Sequence, residues 1–240
     1  MDLWPAIDLR GGRCVRLLQG DYDRETVFSS DPVDQVRRFV DAGARRLHLV
    51  DLDGAKAGRP VQSDLVGRMV RAAGVPCQLG GGIRTLDTVR AYAEAGVTRL
   101  VAGSVAIEDP DLLTAMAEAL PGRIVLGLDA RDGRVATRGW IDTSPLLAVD
   151  VARRSRSLPL AGIVYTDIAT DGMLSGPNLA ALSEMIAATP LPVVASGGIA
   201  VADDLRRVAG IGAAGCIVGR ALYDGGLGLR EALEACGEAG

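Results

Sequence analysis

"LGLDARDGR", residues 126–134, and "PAIDLRGGR", residues 5–13, are two versions of one phrase. Each is an apolar run that stops at an aspartate and passes through a short polar turn. Asp8 matches Asp129, and Arg10, Gly12 and Arg13 match Arg131, Gly133 and Arg134 in step. The correspondence continues downstream: Asp51 with Asp167, Gly81-Gly82-Ile83 with Gly197-Gly198-Ile199, and Gly103 with Gly219. Landmarks repeated in order across two halves of a chain mark two copies of one structural unit.

Outward from that phrase the same alternation runs along the whole chain. Eight short apolar runs read as buried strands: "LWPAID", "RLHLVD", "PCQLGG", "RLVAGS", "IVLGLD", "GIVYTD", "PVVASGG" and "GCIVGR". Between them lie segments with helical spacing, "PVDQVRRFVDAG", "SDLVGRMVRAAG", "LDTVRAYAEAG", "PDLLTAMAEAL", "SPLLAVDVARR", "NLAALSEMIAA", "ADDLRRVAG" and "LREALEAC". Several begin at Ser, Asp or Asn and stop at Gly, as helix boundaries do. Eight strand–helix pairs in 240 residues predict a (β/α)₈ TIM barrel of the α/β class, one domain over residues 1–240, with a twofold half-barrel repeat. An open doubly wound sheet is the alternative, but no GxGxxG follows the first strand.

Composition narrows the chemistry. With 48% hydrophobic residues the chain can bury a large core without disulfides or metal. No run reaches the length of a membrane span, and the amino terminus lacks a basic region before a long apolar core, so a cytoplasmic protein is expected. Cys14, Cys77, Cys216 and Cys236 show no metal-ligand spacing and read as free thiols, with no metal site expected. A net charge of -4 opposes nucleic-acid binding and favours small-molecule partners. Lys56 is the only lysine and His48 the only histidine. Proton transfer therefore falls first to carboxylates.

In a barrel of this kind the strand C-termini face the active site, so Asp8 and Asp129 would stand across the mouth from each other. Two carboxylates facing one substrate can divide the work into acid and base. An aspartate after a strand also serves simply to cap a turn, and the matched pair is what favours chemistry. The glycines carry a second message. "GGGIR" and "SGGIA", with Gly81, Gly82, Gly197 and Gly198, put backbone N–H groups at loop tips. "AGSVA" and "VGRAL", with Gly103, Ser104, Gly219 and Arg220, run from a strand into a helix start that favours an anion. Barrels often bind phosphate after strands 7 and 8, and the repeat predicts a second phosphate site after strands 3 and 4. The loop "YTDIATDGMLSGPN" adds Thr166, Asp171 and Gly172, with a plain Asp-Gly turn as the bland alternative. His48 lies within strand 2, where a buried core role is the simpler reading. Arg16 lies in an expected β-extension, and Trp140 in "TRGWID" could stack on a planar heterocycle. Loop 1, "LQGDYDRETVFSSDP", is polar enough to serve as a lid.

The motifs "PAIDLRGGRCVRLLQGD", "HLVDLDGA", "GGGIR", "LDARDGRV", "YTDIATDGML", "SGGIA" and "VGRALY" resemble, over essentially the whole chain, the phosphoribosylformimino-aminoimidazole carboxamide ribotide isomerases of histidine biosynthesis. The resemblance implies a half-barrel duplication, a bisphosphate substrate, and an Amadori rearrangement of an aminoaldose to an aminoketose with no cofactor. It casts Asp8 as the base at the sugar C2′, Asp129 as the acid at the ring oxygen, Asp171 as a rival acid and Thr166 as a supporting hydroxyl. Arg16, His48, Arg84 and Trp140 fall at substrate-contacting positions. The cyclase subunit of imidazole glycerol phosphate synthase is a related alternative, but it carries "CLDV" and a lysine in "GRVVKG", where this chain has "PAIDLRGGRCVRLLQG". A second alternative is a dual-specificity isomerase that also acts on phosphoribosylanthranilate in tryptophan biosynthesis. Arg138 matches it and Gly80, where those enzymes carry serine, does not, so single specificity leads. The reading is compatible with a monomer.

Overall fold

The computed structural model describes residues 1–238. Its eight barrel strands are β1 (Asp2–Arg10), β2 (Leu47–Asp51), β3 (Cys77–Gly80), β4 (Arg99–Ala102), β5 (Ile124–Arg131), β6 (Gly162–Asp167), β7 (Val193–Ser196) and β8 (Gly215–Val218). Each pairs in parallel with the next, and β8 pairs with β1, so the sheet closes and leaves no barrel edge. The expected (β/α)₈ barrel is the fold observed. β1 and β5 stand opposite each other, with three strands between them in either direction.

Eight outer helices follow the strands: α1 (Pro32–Asp41), α2 (Ser63–Ala73), α3 (Leu86–Glu94), α4 (Pro110–Ala119), α5 (Ala148–Ser155), α6 (Leu179–Ala188), α7 (Ala202–Gly210) and α8 (Leu229–Ala235). Local chemistry fixes their starts. The Asp31 carboxylate accepts from the amides of Val33 and Asp34 at 3.0 Å with Pro32 in the first turn, and Asp109 accepts from the Leu112 amide at 3.0 Å with Pro110 in the first turn of α4. Gly74, at φ 62°, ends α2 in the left-handed conformation. The helices cover the outer strand faces with a shell that includes Leu3, Ile7, Leu47, Leu79, Leu100, Met116 and Ile124, all fully buried. Each such side chain contributes about 1.5–3 kcal/mol of burial.

Two departures from the sequence reading concern antiparallel ribbons at the mouth. Loop 1 is mostly strand: Asp21–Ser29 pairs with Arg13–Leu18 as a hairpin that extends β1. Its β-favouring Tyr22, Val27 and Phe28 supply the propensity, and Phe28 stacks 4.8 Å from Tyr223, tying the ribbon to the segment after β8. In the second half, residues 144–147 of "SPLLAVDVARR" are not helical. Asp142–Leu147 pairs with Arg134–Thr137, and α5 begins only at Ala148. The edge of that ribbon accommodates Pro145, whose carbonyl accepts from Arg134 Nη1 at 2.6 Å.

The duplication is visible in the backbone. Gly81 and Gly197 adopt φ of 102° and 98°, and Gly82 and Gly198 adopt 71° and 85°. A Cβ on Gly81 would fall 2.1 Å from the Asp51 carbonyl oxygen, and one on Gly197 would fall 2.8 Å from that of Asp167. These glycines are thus demanded by close packing of the β3 and β7 loops on the β2 and β6 loops, in addition to leaving room for a ligand. Gly81→Ala is expected to cost about 3 kcal/mol or more. Gly122→Ala, at φ 71° with nothing within 4 Å of the added methyl, is expected to cost about 1 kcal/mol. Urea unfolding of the two variants measures the difference, and equal costs would remove the packing argument.

Candidate active site

One cavity opens at the C-terminal ends of the strands, and it is lined by residues of a single parity along each strand. Ala6 and Asp8 come from β1, His48 and Val50 from β2, Gly127 and Asp129 from β5, and Val164 and Thr166 from β6. Because strand side chains alternate, the residues two steps lower also face inward. Trp4, Ala6, Val125, Val164, Val194 and Ile217 form a cluster distinct from the outer shell, and it is the cavity floor.

Asp8 is 9% exposed at the end of β1 and ion-paired with Arg16 of the first ribbon. Arg16 lies flat over the backbone of Gly219, where a Cβ would come within 1.1 Å of its Nη2. A side chain at 219 would push the guanidinium from this position, and through it Asp8 is linked to the loop after β8. Across the barrel, Asp129 sits beside Thr166 in register on β6. Burial pushes the Asp129 carboxyl above the usual carboxylate range, and hydrogen bonds from Thr166 and Trp140 pull it partly back. Asp171, in the loop after β6, is raised to about 6, chiefly by burial. The Arg16 charge lowers it, and Asp8 and Asp129 add to the rise. Three carboxyl groups thus share one cavity with one buried guanidinium, and two of them are biased toward holding a proton.

Two sets of amides flank these acids. Gly82, Ile83, Gly103 and Ser104 border the cavity on one side. Gly198, Ile199, Gly219 and Arg220 line an adjoining pocket that shares Arg16, Asp171 and Ser196 with the main cavity. Among the described residues, none of these eight amides donates to a backbone carbonyl. Each set can therefore accept an anion. Arg84 borders the first set and pairs with Glu108 at 3.1 Å. Arg220 borders the second, donating to the Gly172 carbonyl at 2.7 Å and pairing with Asp224. The Ser104 hydroxyl accepts from the Arg138 amide at 2.8 Å, joining the first set to the second ribbon.

The structure brings every sequence-predicted site residue to this mouth. His48 is 8% exposed, lines the cavity, and is depressed to about 4 by burial, with Arg16 adding to the fall and Asp8 opposing it, so it is a neutral imidazole at pH 7. Trp140 seats against Gly20 of the first ribbon, where a Cβ would lie 2.3 Å from its Cε3. Two residues without a predicted role matter. Gln78, fully buried on β3, places Nε2 2.9 Å from His48 Nδ1. Asp51, also fully buried, accepts from the amides of Gly54, Val61 and Gln62 at 2.8–2.9 Å and from the Gln62 side chain at 3.2 Å. The signal for both was in the sequence: a polar residue within an apolar strand run.

Among the described residues no group of three His, Cys, Asp or Glu side chains could hold a metal ion, and no helix is long and apolar enough to cross a membrane.

A (β/α)₈ barrel with an aspartate at the ends of two opposite strands and a set of free loop amides beside each has the frame of an enzyme that acts on a small molecule. The chain belongs to the histidine biosynthesis protein family, whose model matches residues 2–228. It is 50% identical to the 1-(5-phosphoribosyl)-5-((5-phosphoribosylamino)methylideneamino) imidazole-4-carboxamide isomerase of Rhodopirellula baltica, over 99% of this chain and 95% of that one. It is 53% identical to the protein of the same name in Parasynechococcus marenigrum, over 99% and 94%. For the Desulfosudis oleivorans isomerase the identity is 52%, over 95% and 92%.

The raised Asp171 carboxyl has a consequence for stability. Its folded-state value near 6 exceeds the ordinary 3.8, so the native state binds the proton more tightly than the unfolded state does. The contribution is favourable below about pH 4 and is lost as pH rises through about 6. Asp171→Asn is therefore expected to raise Tm at pH 7.5 by roughly 2–6 °C, corresponding to about 1–2 kcal/mol after discounting for water in the cavity, and to leave it nearly unchanged at pH 4. Thermal melts at the two pH values check this, and an equal shift at both would contradict it.

Proposed function

We propose that the chain is an isomerase of histidine biosynthesis that converts an aminoaldose bisphosphate to the aminoketose by an Amadori rearrangement, the activity for which its relatives are named. The observation that carries the mechanism is the facing pair Asp8 and Asp129, one ion-paired with Arg16 and one whose carboxyl desolvation raises above the usual carboxylate range. Asp129 gives its proton to the ring oxygen as the C–O bond breaks and the amine lone pair forms a C=N bond. Asp8 then takes the proton from C2′, and the electrons return to nitrogen in an enolamine that tautomerises to the ketone. Thr166 steadies Asp129 by a hydrogen bond. Asp171, raised to about 6, is the rival proton carrier, and a single-turnover comparison of Asp129→Asn with Asp171→Asn decides which supplies the first proton.

The phosphate groups are assigned to the two amide sets, with Arg84 beside Gly81, Gly82, Gly103 and Ser104, and Arg220 beside Gly172, Gly197, Gly198 and Gly219. Arg16, His48 and Trp140 hold the substrate between them. No cofactor enters these steps. Both acids and both sockets belong to one chain, so a single copy suffices for the site. Four buried free cysteines and a phosphorylated metabolite fit a reducing cytoplasm.

Asp8→Asn and Asp129→Asn are each expected to lower turnover by about 10²–10⁴-fold while far-UV circular dichroism and Tm stay near those of the parent. Near-normal turnover in both would remove the acid–base pair. Assaying phosphoribosylanthranilate in parallel settles substrate range: activity on it as well would assign a role to Arg138, which stands at the rim in an exposed pair with Asp142.

A further inference from the structure

His48 and Gln78 are register partners on β2 and β3. Their counterparts in the second half-barrel, three residues before the matched Asp51/Asp167 and Gly81/Gly197 landmarks, are Val164 and Val194, which are register partners on β6 and β7. All four side chains are buried. One half of the inner wall therefore carries a polar pair where the other carries two valines. Burying two polar groups in an apolar layer is unfavourable unless they are satisfied or used.

Gln78 Nε2 is 2.9 Å from His48 Nδ1, and an amide nitrogen only donates. Nδ1 must then be the unprotonated nitrogen, and the ring proton resides on Nε2. The Gln78 Oε1 has no partner among the described residues. Turning the amide over would exchange that one unpaired oxygen for an unpaired NH₂, and a buried orphan donor is the rarer and costlier state.

We infer that Gln78 is a positioning residue that fixes His48 as the Nε2–H tautomer, so that the imidazole serves the substrate as a neutral hydrogen-bond donor and not as a base. The inference rests on the isomerase reading for its kinetic part only. His48 then recognises an oxygen or unprotonated nitrogen on the substrate beside β1 and β2. It leaves proton abstraction to Asp8, whose neighbour on β1, Ala6, is the register partner of His48.

Because the chain has one histidine, a tag-free sample labelled with ¹⁵N-histidine reports a single ring. At pH 7.5, long-range ¹H–¹⁵N spectra of the parent are expected to show Nε2 protonated and Nδ1 bare. Gln78→Leu is expected to give a mixture of tautomers. Gln78→Glu, whose carboxylate accepts from Nδ1, is expected to give Nδ1–H or the imidazolium. In kinetics, Gln78→Leu should lower kcat/KM about tenfold, the size of one hydrogen bond, with no change in the shape of the pH profile. Gln78→Glu should add a histidine inflection near neutrality. The double variant His48→Val with Gln78→Val copies the opposite wall and is the folding control. A parent with Nδ1 protonated overturns the inference, as does a Gln78→Leu variant with both tautomer and kcat/KM unchanged. A parent that shows the Nε2–H tautomer but turns over neither aminoaldose overturns the isomerase reading and leaves the tautomer assignment standing.

Discussion

Asp51 is a carboxylate shut off from water that accepts four hydrogen bonds from the loop following it. A buried charge is tolerated only when its lone pairs are met, so those bonds allow residues 52–62 essentially one course. That course brings the Asp51 and Arg59 carbonyls to where Gly81 and Gly82 must pass without side chains. The socket amides of Gly82 and Ile83 are aimed by this contact. In the second half Asp167 takes the same place with fewer bonds, from the Ala169 amide and the Asn178 side chain; Gly197 passes over its carbonyl and Gly198 over the Gly176 backbone. These two aspartates keep the loop amides around the cavity from drifting.

The first ribbon adds the other constraint. Arg16 reaches from it across Gly219 to Asp8, so one guanidinium joins the end of β1, the loop after β8 and the first ribbon. Its charge also lowers Asp171, which would otherwise be held still higher by burial and by two neighbouring carboxyls. Ribbon and acid chemistry are therefore coupled through charge, while Trp140 on the Gly20 backbone couples the two ribbons through shape.

Much of this could be read from the residues. The eight strands follow from apolar runs, and the pairing of Asp8 with Asp129 follows from the doubled phrase, because an inexact repeat preserves landmarks under strong geometric demand. What escaped had a physical reason. Residues 144–147 carry helical spacing, but pairing with Arg134–Thr137 supplies hydrogen bonds that local propensity does not foresee. Loop 1 is polar because both its faces meet water, and polarity alone does not distinguish a ribbon from a coil. The purpose of the glycines was half legible: space for a ligand was foreseen, and the collision with the Asp51 carbonyl needed the distance between loops that are far apart in sequence.

A molecule with a phosphate at each end has two ways to lie across a barrel with a socket on each side. Sockets alone would scarcely tell them apart. The inner wall is keyed, with His48 and Gln78 on one flank and Val164 and Val194 on the other. A bound orientation that left the His48 imidazole without a hydrogen-bond partner would cost about 1–3 kcal/mol, or roughly a 5–150-fold preference for the other direction. Having arisen by copying, the barrel gives its substrate a front and a back where the two copies differ, and these facing pairs of the inner wall are one such place.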